Sequence, residues 1–322
     1  MKTKFRIFHK AVVLSVMMLL SGLIVLPIQA QTATATPEPV IAKWDQQSPF
    51  TIMVAGIDRR PGDGNILTVR TDAIMLVHVN PAEQTIGILH IPRDLFFALP
   101  PTSTGETLPL VRVNTLLLRG EGMQPGNGAY YMMDTIQYNF GMYIDAYVLF
   151  DFQAFTTIVD ALGGIDITTT YNIADPSYPD MNGGYDPFYL SAGEHHLDGE
   201  TALKFARTRH GDNDYLRGYR QLQVISAIGD RASSPDMLPQ LLIMAPSLFQ
   251  SLQSDVYTDL TLTDAINLGN YVVSVPKDHI HTGGVNEEYI VHTVNEGESV
   301  AIPDREKLIE LLTEVFGEGY GG

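Results

Sequence analysis

The sequence FTIMVAGIDRR, residues 50–60, decides the fold of this chain. Its first eight letters are apolar or small and the last three are charged, which predicts a buried strand that ends at a polar edge. Residues 73–79 (AIMLVHV) and 85–91 (TIGILHI) predict two more strands, joined by a turn at Asn80-Pro81. Three apolar strands in one short segment predict the centre of a sheet.

Downstream, predicted strands alternate with predicted helices, which indicates an α/β layered domain. Strands are predicted at 147–152 and 165–170. Helices are predicted at 130–139, 153–162, 197–206, 217–232, 238–251, 262–272 and 305–316. Residues 171–191 are rich in Pro, Gly, Tyr and Asp and predict a long loop that borders a site. Because no break in composition separates these segments, residues 49–322 are predicted to form one domain.

The N-terminal segment predicts export. Residues 1–10 are basic, residues 11–28 carry no charge, and a small-residue cleavage site ends at Ala30. Residues 1–30 are therefore either a signal peptide or a single-pass membrane anchor, and both alternatives place the body outside the cytoplasm. It would then be anchored in the cell membrane or secreted to the cell envelope. Residues 31–48, rich in Thr, Ala and Pro, predict a flexible tether.

The charge balance argues against a general nucleic-acid-binding protein. The formal net charge is −17, whereas binding to phosphate backbones requires a basic field. Beyond the basic N-terminus the chain has twelve Arg but only four Lys, which indicates specific tasks for the arginines. Cysteine is absent, which excludes disulfides and Cys-based zinc sites. His195, His196 and His210 fit no zinc spacing and are predicted to be solvated loop residues.

Polar residues cluster where the three predicted strands begin or end. Asp58 follows the first strand, Arg70 and Asp72 precede the second, and Arg93 follows the third. Because ligands of α/β sheets gather at strand ends, these side chains are predicted to meet at one edge. Two carboxylates with open positions suit Mg²⁺, a hard cation that retains water or substrate phosphates. The alternative is that each aspartate caps a turn or pairs with a neighbouring arginine.

A second cluster lies in residues 205–221. Its arginines are Arg207, Arg209, Arg217 and Arg220. An extended stretch at 206–210 places the first two on one side, and a helix that begins near Asp214 places the last two and Gln221 on one face. Guanidinium forks bind phosphate oxygens in bidentate fashion, so the two pairs predict an anion clamp. The alternative is a solvated helix start that is salt-bridged to Asp212 and Asp214.

Five motifs in order resemble the LytR-CpsA-Psr family over about residues 50–231. They are Gly56-Ile57-Asp58-Arg59-Arg60, Arg70-Thr71-Asp72, Ile91-Pro92-Arg93-Asp94, Asp160-Ala161-Leu162-Gly163-Gly164-Ile165, and Arg207-Thr208-Arg209 followed by Arg217-Gly218-Tyr219-Arg220-Gln221. The resemblance implies a three-layer α/β/α sandwich with a central mixed sheet and an apolar channel for a lipid tail. It also implies a phosphotransferase of the bacterial envelope. Such enzymes move a glycopolymer from a polyprenyl-pyrophosphate carrier to a wall acceptor, usually peptidoglycan, through a phosphodiester.

The resemblance also implies roles for individual residues. Asp58 and Asp72 match the aspartates associated with Mg²⁺. The residues that match the surroundings of the pyrophosphate are Arg70, Arg93, Arg207, Arg209, Arg217, Arg220 and Gln221. Of these, Arg70, Arg93, Arg207 and Arg209 are predicted, with the two aspartates, to be catalytic. The sequence departs from the family pattern at Ile57 and Arg59, where small or hydroxyl residues are common.

Three rival functions use the same features. In a polyprenyl-pyrophosphate hydrolase, water replaces the acceptor sugar. In a non-catalytic regulator or carrier, the arginines only bind a lipid-linked glycan. Transcriptional attenuation is opposed by the export signal, the net charge and the lack of a helix-turn-helix pattern.

Overall fold

The structure is a computed structural model that describes residues 44–59, 67–101, 108–180, 184–208, 214–252 and 254–319. The strands are β1 (Phe50–Ile57), β2 (Thr71–Asn80), β3 (Thr85–His90), β4 (Phe96–Phe97), β5 (Val111–Arg112), β6 (Ala146–Phe150), β7 (Ile165–Thr169), β8 (Ile173–Asp175), β9 (Phe188–Leu190), β10 (Gly193–Leu197), β11 (Val256–Thr258), β12 (Ile280–Gly284), β13 (Ile290–Asn295) and β14 (Glu298–Pro303). The helices are α1 (Leu116–Met123), α2 (Gly128–Phe140), α3 (Phe152–Ala161), α4 (Gly199–Arg207), α5 (Asp214–Ala232), α6 (Leu238–Leu252), α7 (Leu262–Ser274) and α8 (Arg305–Phe316).

A six-stranded mixed sheet forms the middle of the domain, in the order β11-β6-β1-β2-β3-β12. The pairs β1–β6 and β3–β12 are parallel, whereas β2 is antiparallel to both β1 and β3, and β11 is antiparallel to β6. Consequently the carboxyl ends of β1, β3, β6 and β12 lie at one edge of the sheet. The amino ends of β2 and β11 lie at the same edge.

Helices cover both faces of the sheet because its strands bury side chains on both sides. On β1, Ile52 packs into one core with α3 to α7, while its neighbour Met53 packs into a second core with α1, α2 and α8. The near-continuous apolar sequence of β1 is typical of a strand buried on both faces. The predicted α/β fold, a three-layer α/β/α sandwich with a central mixed sheet, is confirmed.

The domain begins earlier than the sequence indicated. Trp44, within the predicted tether, is only 5% exposed and packs edge-on against Tyr271 of α7. Its backbone N–H donates to Asp264 Oδ1 at 3.0 Å, and its indole N–H donates to Ser48 O at 2.9 Å. The folded core therefore includes residues just before Pro49, where the sequence placed the boundary. The N-terminal segment 1–30 lies outside the described residues.

Several short strands were missed by the sequence analysis. Residues 171–191, predicted to be a loop, contain the paired strands β8 and β9. The C-terminal region supplies the edge strand β12 and the β13–β14 hairpin, which were not predicted. These strands are short or carry many polar residues, so their periodicity is weak. Within the described ranges, no helix has the length and apolar character needed to span a membrane.

Candidate active site

The edge of the sheet that gathers the strand ends also gathers the polar residues of the first cluster. Ile57 pairs with Thr71 after a bulge in the β1–β2 ladder, and the Asp58 backbone N–H donates to Arg70 O at 2.9 Å. Asp58, Arg70 and Asp72 are thereby held on adjacent strand ends. Arg70 is exposed, whereas Asp58 and Asp72 are partly buried. The sequence predicted that these three residues lie close together.

Arg93 joins this cluster through Asp72. Its Nη1 forms an ion pair with Asp72 Oδ1, and its Nε lies 3.5 Å from Asp94 Oδ2. The side chains of Arg93 and Asp72 are 12% and 19% exposed, so solvent screens this pair only in part. The pairing of an aspartate with a neighbouring arginine, raised above as an alternative, is therefore present at Asp72.

Two further polar atoms at this edge were not singled out from the sequence. Among the described residues, Thr71 Oγ1 and Asn114 Oδ1 are buried without a hydrogen-bond partner in the protein. Thr71 lies between Arg70 and Asp72, and the Asn114 backbone N–H donates to Arg93 O at 3.2 Å. Because buried polar atoms are normally satisfied, these two are suited to a bound ligand or water.

Arg207 comes to the same edge from the end of α4. Its guanidinium carbon lies 4.0 Å from the ring centroid of Phe152, which follows the carboxyl end of β6, and 5.7 Å from that of Tyr178. Its Nη1 also donates to the Tyr178 hydroxyl at 3.0 Å. Burial raises the pKa of Tyr178 although Arg207 opposes the shift, so the phenol stays protonated near neutral pH. Two aromatic rings thus orient the guanidinium.

The last two arginines of the second cluster lie on the buried face of α5. This helix begins at Asp214, as predicted, and Arg217, Arg220 and Gln221 are all buried. Gln221 Oε1 lies 3.2 Å from Nε2 of His90, the last residue of β3. The two clusters therefore meet at the end of β3, three residues before Arg93.

Arg220 supports the segment that carries Arg207. It is fully buried; its Nε donates to Phe205 O at 2.9 Å and its Nη2 donates to Thr208 O. Its Nη1 donates to the Tyr171 hydroxyl at 3.2 Å. These contacts fasten α5 to both sides of Arg207. The pyrophosphate contact implied for Arg220 stays a prediction.

Arg59, at which the sequence departs from the family pattern, forms a buried ion cluster at this edge. Its Nη2 lies 2.8 Å from Asp151 Oδ2 and 2.8 Å from Asp255 Oδ1, and its Nη1 donates to the Tyr257 hydroxyl. Asp151 also caps α3 by accepting from the Ala154 N–H at 2.9 Å. The cluster locks the end of β1 to β6 and β11.

Burial raises the pKa of Asp151, and the neighbouring Asp255 raises it further, while Arg59 and the helix cap oppose the shift. This cluster could not be predicted from the sequence because its members lie far apart in the chain. The only local signal was an arginine two residues after a buried strand.

Some predicted residues lie outside the described ranges. These are Arg60, Arg209, His210 and Asp212. Of the other two histidines, His196 is exposed and bonds to Asp166 and Gly163 O at the β7–β10 pair. His195 is half-buried and lies within hydrogen-bond distance of Ser191 O.

The fold and the site together define a class of protein. It is an α/β/α sandwich whose sheet edge carries two aspartates among arginines, an arrangement suited to a phosphorylated ligand. The model of the LytR_cpsA_psr family matches residues 26–316, and the chain belongs to this family.

Similar proteins come from Bacillus subtilis (strain 168). The chain is 30% identical over 234 residues to the polyisoprenyl-teichoic acid–peptidoglycan teichoic acid transferase TagT, covering 70% of this chain and 65% of TagT. It is 28% identical over 225 residues to the transferase TagV, covering 69% of this chain and 53% of TagV. The chain thus spans about half to two thirds of the length of these relatives.

Solved structures agree with the fold. The crystal structure of B. subtilis TagV has a TM-score of 0.62 at 26% identity and covers 83% of this chain and 97% of that one. The structure of TagT bound to LIIa-WTA has a TM-score of 0.62 at 25% identity and covers 85% of this chain and 92% of that one.

Proposed function

We propose that the protein is an extracytoplasmic phosphotransferase. It would move a glycopolymer from a polyprenyl-pyrophosphate carrier to a cell-wall acceptor, peptidoglycan, through a phosphodiester. The observation that carries the proposal is the convergence of Asp58, Arg70, Asp72 and Arg93 with Arg207 at one edge of the sheet. The relatives named as teichoic acid transferases support the reaction class.

The arginines bind the diphosphate of the donor in this proposal. A diphosphate concentrates negative charge, and guanidinium groups match its oxygens with bidentate hydrogen bonds. Arg70 is exposed and therefore accessible to a ligand. Arg207 is held by two aromatic rings, so it can contact a ligand without a large loss of side-chain entropy. Arg217 and Gln221 supply further polar groups from α5. Arg209 and Arg220 are also predicted to contact the diphosphate.

Transfer then requires one substitution at phosphorus. An acceptor sugar hydroxyl attacks the glycan-side phosphorus, the new P–O bond forms, and the bond to the bridging oxygen breaks to release polyprenyl phosphate. Asp58 or Asp72 accepts the hydroxyl proton. The arginines stabilise the charge that develops on the phosphoryl oxygens, and loss of one such donor costs roughly 10²–10³ in rate.

Mg²⁺ is the proposed cofactor, and the residues present fit it. The chemistry of the donor set is right, because Asp58 and Asp72 offer hard carboxylate oxygens from adjacent strand ends. Among the described residues no group of three or more His, Asp or Glu side chains forms a metal site. Two protein carboxylates suit an ion that completes its shell with water and phosphate oxygens. When bound there, Mg²⁺ would neutralise diphosphate charge.

The export signal at residues 1–30 supports a position in the cell envelope, with the body anchored in the membrane or secreted. A lipid-linked donor is itself membrane-bound, so a membrane anchor would keep enzyme and donor together. The net charge of −17 argues against nucleic acid as a partner.

The decisive experiment incubates the purified chain with a polyprenyl-pyrophosphate oligosaccharide, a peptidoglycan fragment and Mg²⁺. A covalent phosphodiester product supports transfer. Free glycan phosphate supports the alternative, a pyrophosphate hydrolase. Tight donor binding without any product supports a non-catalytic glycolipid-binding regulator.

Variants locate the reaction. Arg70→Ala should abolish most product, while Lys277→Ala should not, because Lys277 precedes β12 at the opposite edge and pairs there with Asp230 at 2.7 Å. An Asp72→Ala protein that transfers glycan at the wild-type rate with Mg²⁺ chelated would refute the metal assignment.

A further inference from the structure

A buried histidine lies between the two halves of the candidate site. His90 ends β3 and is 7% exposed, and its Nε2 lies 3.2 Å from Gln221 Oε1 on α5. Burial lowers the pKa of His90 to about 4, and the nearby Arg217 lowers it further, although the bond to Gln221 opposes the shift. The imidazole is therefore neutral at physiological pH and carries a single N–H.

The chemistry of the two groups decides the direction of their hydrogen bond. A carboxamide oxygen has no hydrogen, so Nε2 of His90 must be the donor and Gln221 Oε1 the acceptor. The amide nitrogen of Gln221 is consequently turned away from His90.

The helix leaves room for this ring through a glycine. A Cβ added to Gly218 would lie 2.5 Å from His90 Cε1 and 2.9 Å from its Nδ1, much closer than real contacts allow. Gly218 is helical and on the buried face of α5, where glycine costs helix stability relative to alanine. The close approach of β3 and α5 explains why that cost is tolerated.

We propose that His90 is a positioning residue that fixes the Gln221 carboxamide so that its NH₂ donates to the diphosphate of the donor. Gly218 makes the contact sterically feasible. This inference rests on the proposed function, because it deepens how the same site holds its lipid-linked donor.

The test compares two substitutions of similar size. His90→Gln keeps an N–H donor, whereas His90→Met removes it. The readout is the affinity of the full chain for farnesyl pyrophosphate, a short polyprenyl diphosphate, measured by calorimetry with Mg²⁺. His90→Met should weaken binding about tenfold, as expected for one lost hydrogen bond, and His90→Gln should stay within about threefold of wild type. Equal affinities of the two variants would overturn the proposal.

A double-substitution cycle measures the coupling between His90 and Gln221 in probe affinity, which a merely structural role of His90 would not produce. If His90 acts through Gln221, then His90→Met combined with Gln221→Met should bind the probe no more weakly than the weaker single variant. Additive losses of affinity would overturn the proposal.

A second experiment tests the close contact between Gly218 and His90. Gly218→Ala should weaken probe binding strongly with His90 present but little in a His90→Ser background. An equal effect of Gly218→Ala in both backgrounds would contradict the contact.

The outcomes separate this inference from the proposed reaction. If the wild-type chain binds the probe, the affinity losses of the His90 and Gln221 variants are coupled, and no phosphodiester forms, then transfer is refuted and the role of His90 stands. If the phosphodiester forms but the affinity losses of the His90 and Gln221 variants are additive, only the role of His90 is refuted. Wild-type chain that does not bind the probe would refute the role of His90, whereas transfer is refuted only by the absence of the phosphodiester product.

Discussion

Removal of the Arg59 guanidinium should destabilise the fold more than removal of an exposed arginine. In Arg59→Ala, two carboxylates lose their shared counterion: Asp151, 4% exposed, and Asp255, 13% exposed. Loss of one partner of a buried ion pair typically costs 3–5 kcal/mol, because a charge is left uncompensated. Since Asp255 retains some solvent, we expect a loss of about 3 kcal/mol in the free energy of unfolding.

Arg112→Ala is the matched control. Arg112 pairs with Asp94 at 3.3 Å, but these side chains are 47% and 39% exposed. Exposed pairs contribute about 0–1 kcal/mol, so this variant should lose less than about 1 kcal/mol. Both variants are measured by denaturant unfolding under identical conditions.

The loss at Arg59 should also depend on pH in a defined direction. The pKa of Asp151 is already raised in the folded protein, and removal of Arg59 removes an influence that lowers it. A carboxyl whose folded pKa exceeds its unfolded value destabilises the fold increasingly as pH rises through that interval. The difference from wild type should therefore be greatest at neutral pH and shrink towards pH 4. A loss no larger than that of Arg112→Ala, or one independent of pH, would refute this reasoning.

Further predictions concern three separate regions. Arg207→Lys keeps the charge but loses the planar stack on the aromatic rings, so kcat/KM for transfer should fall about 10²-fold while the unfolding midpoint stays close to wild type; unchanged kinetics would contradict the assignment. Gly87→Ala places a Cβ 2.3 Å from Phe316 Cδ1 and should cost about 1–3 kcal/mol in denaturant unfolding, whereas a neutral effect would exclude tight packing of α8 on β3. Hydrogen bonds to Asp166 and to a backbone carbonyl raise the pKa of His196, so NMR titration should show a pKa above 6.5 that falls in Asp166→Asn. The small stabilisation from protonated His196 should be present at acid pH and lost as pH rises through this folded pKa.

The elements with strong periodicity were predictable. Strand β1 at Phe50–Ile57 and helix α8 at Arg305–Phe316 have the boundaries that the sequence predicted, because their apolar patterns are continuous and end at clear polar signals. The short strands β8 to β10 and the β13–β14 hairpin were missed. Their pairing depends on neighbours in space more than on local propensity.

The sequence by itself determined which residues stand at the ends of the central strands. Asp58, Arg70, Asp72 and Arg93 each lie at or near the end of a strand whose position is set by its own apolar run. Their proximity could therefore be predicted from the order of the strands alone. Local pattern also placed the start of α5 and the shared face of Arg217, Arg220 and Gln221.

Only the tertiary structure decided what holds these residues in place. Arg59 contacts carboxylates 92 and 196 positions away, and His90 contacts Gln221 131 positions away. No local periodicity encodes such contacts, because they arise when separate elements pack at one edge of the sheet. The same packing buries Arg220, whose guanidinium donates hydrogen bonds to the backbone on both sides of Arg207. The sequence alone does not distinguish Arg220 from the other arginines of residues 205–221.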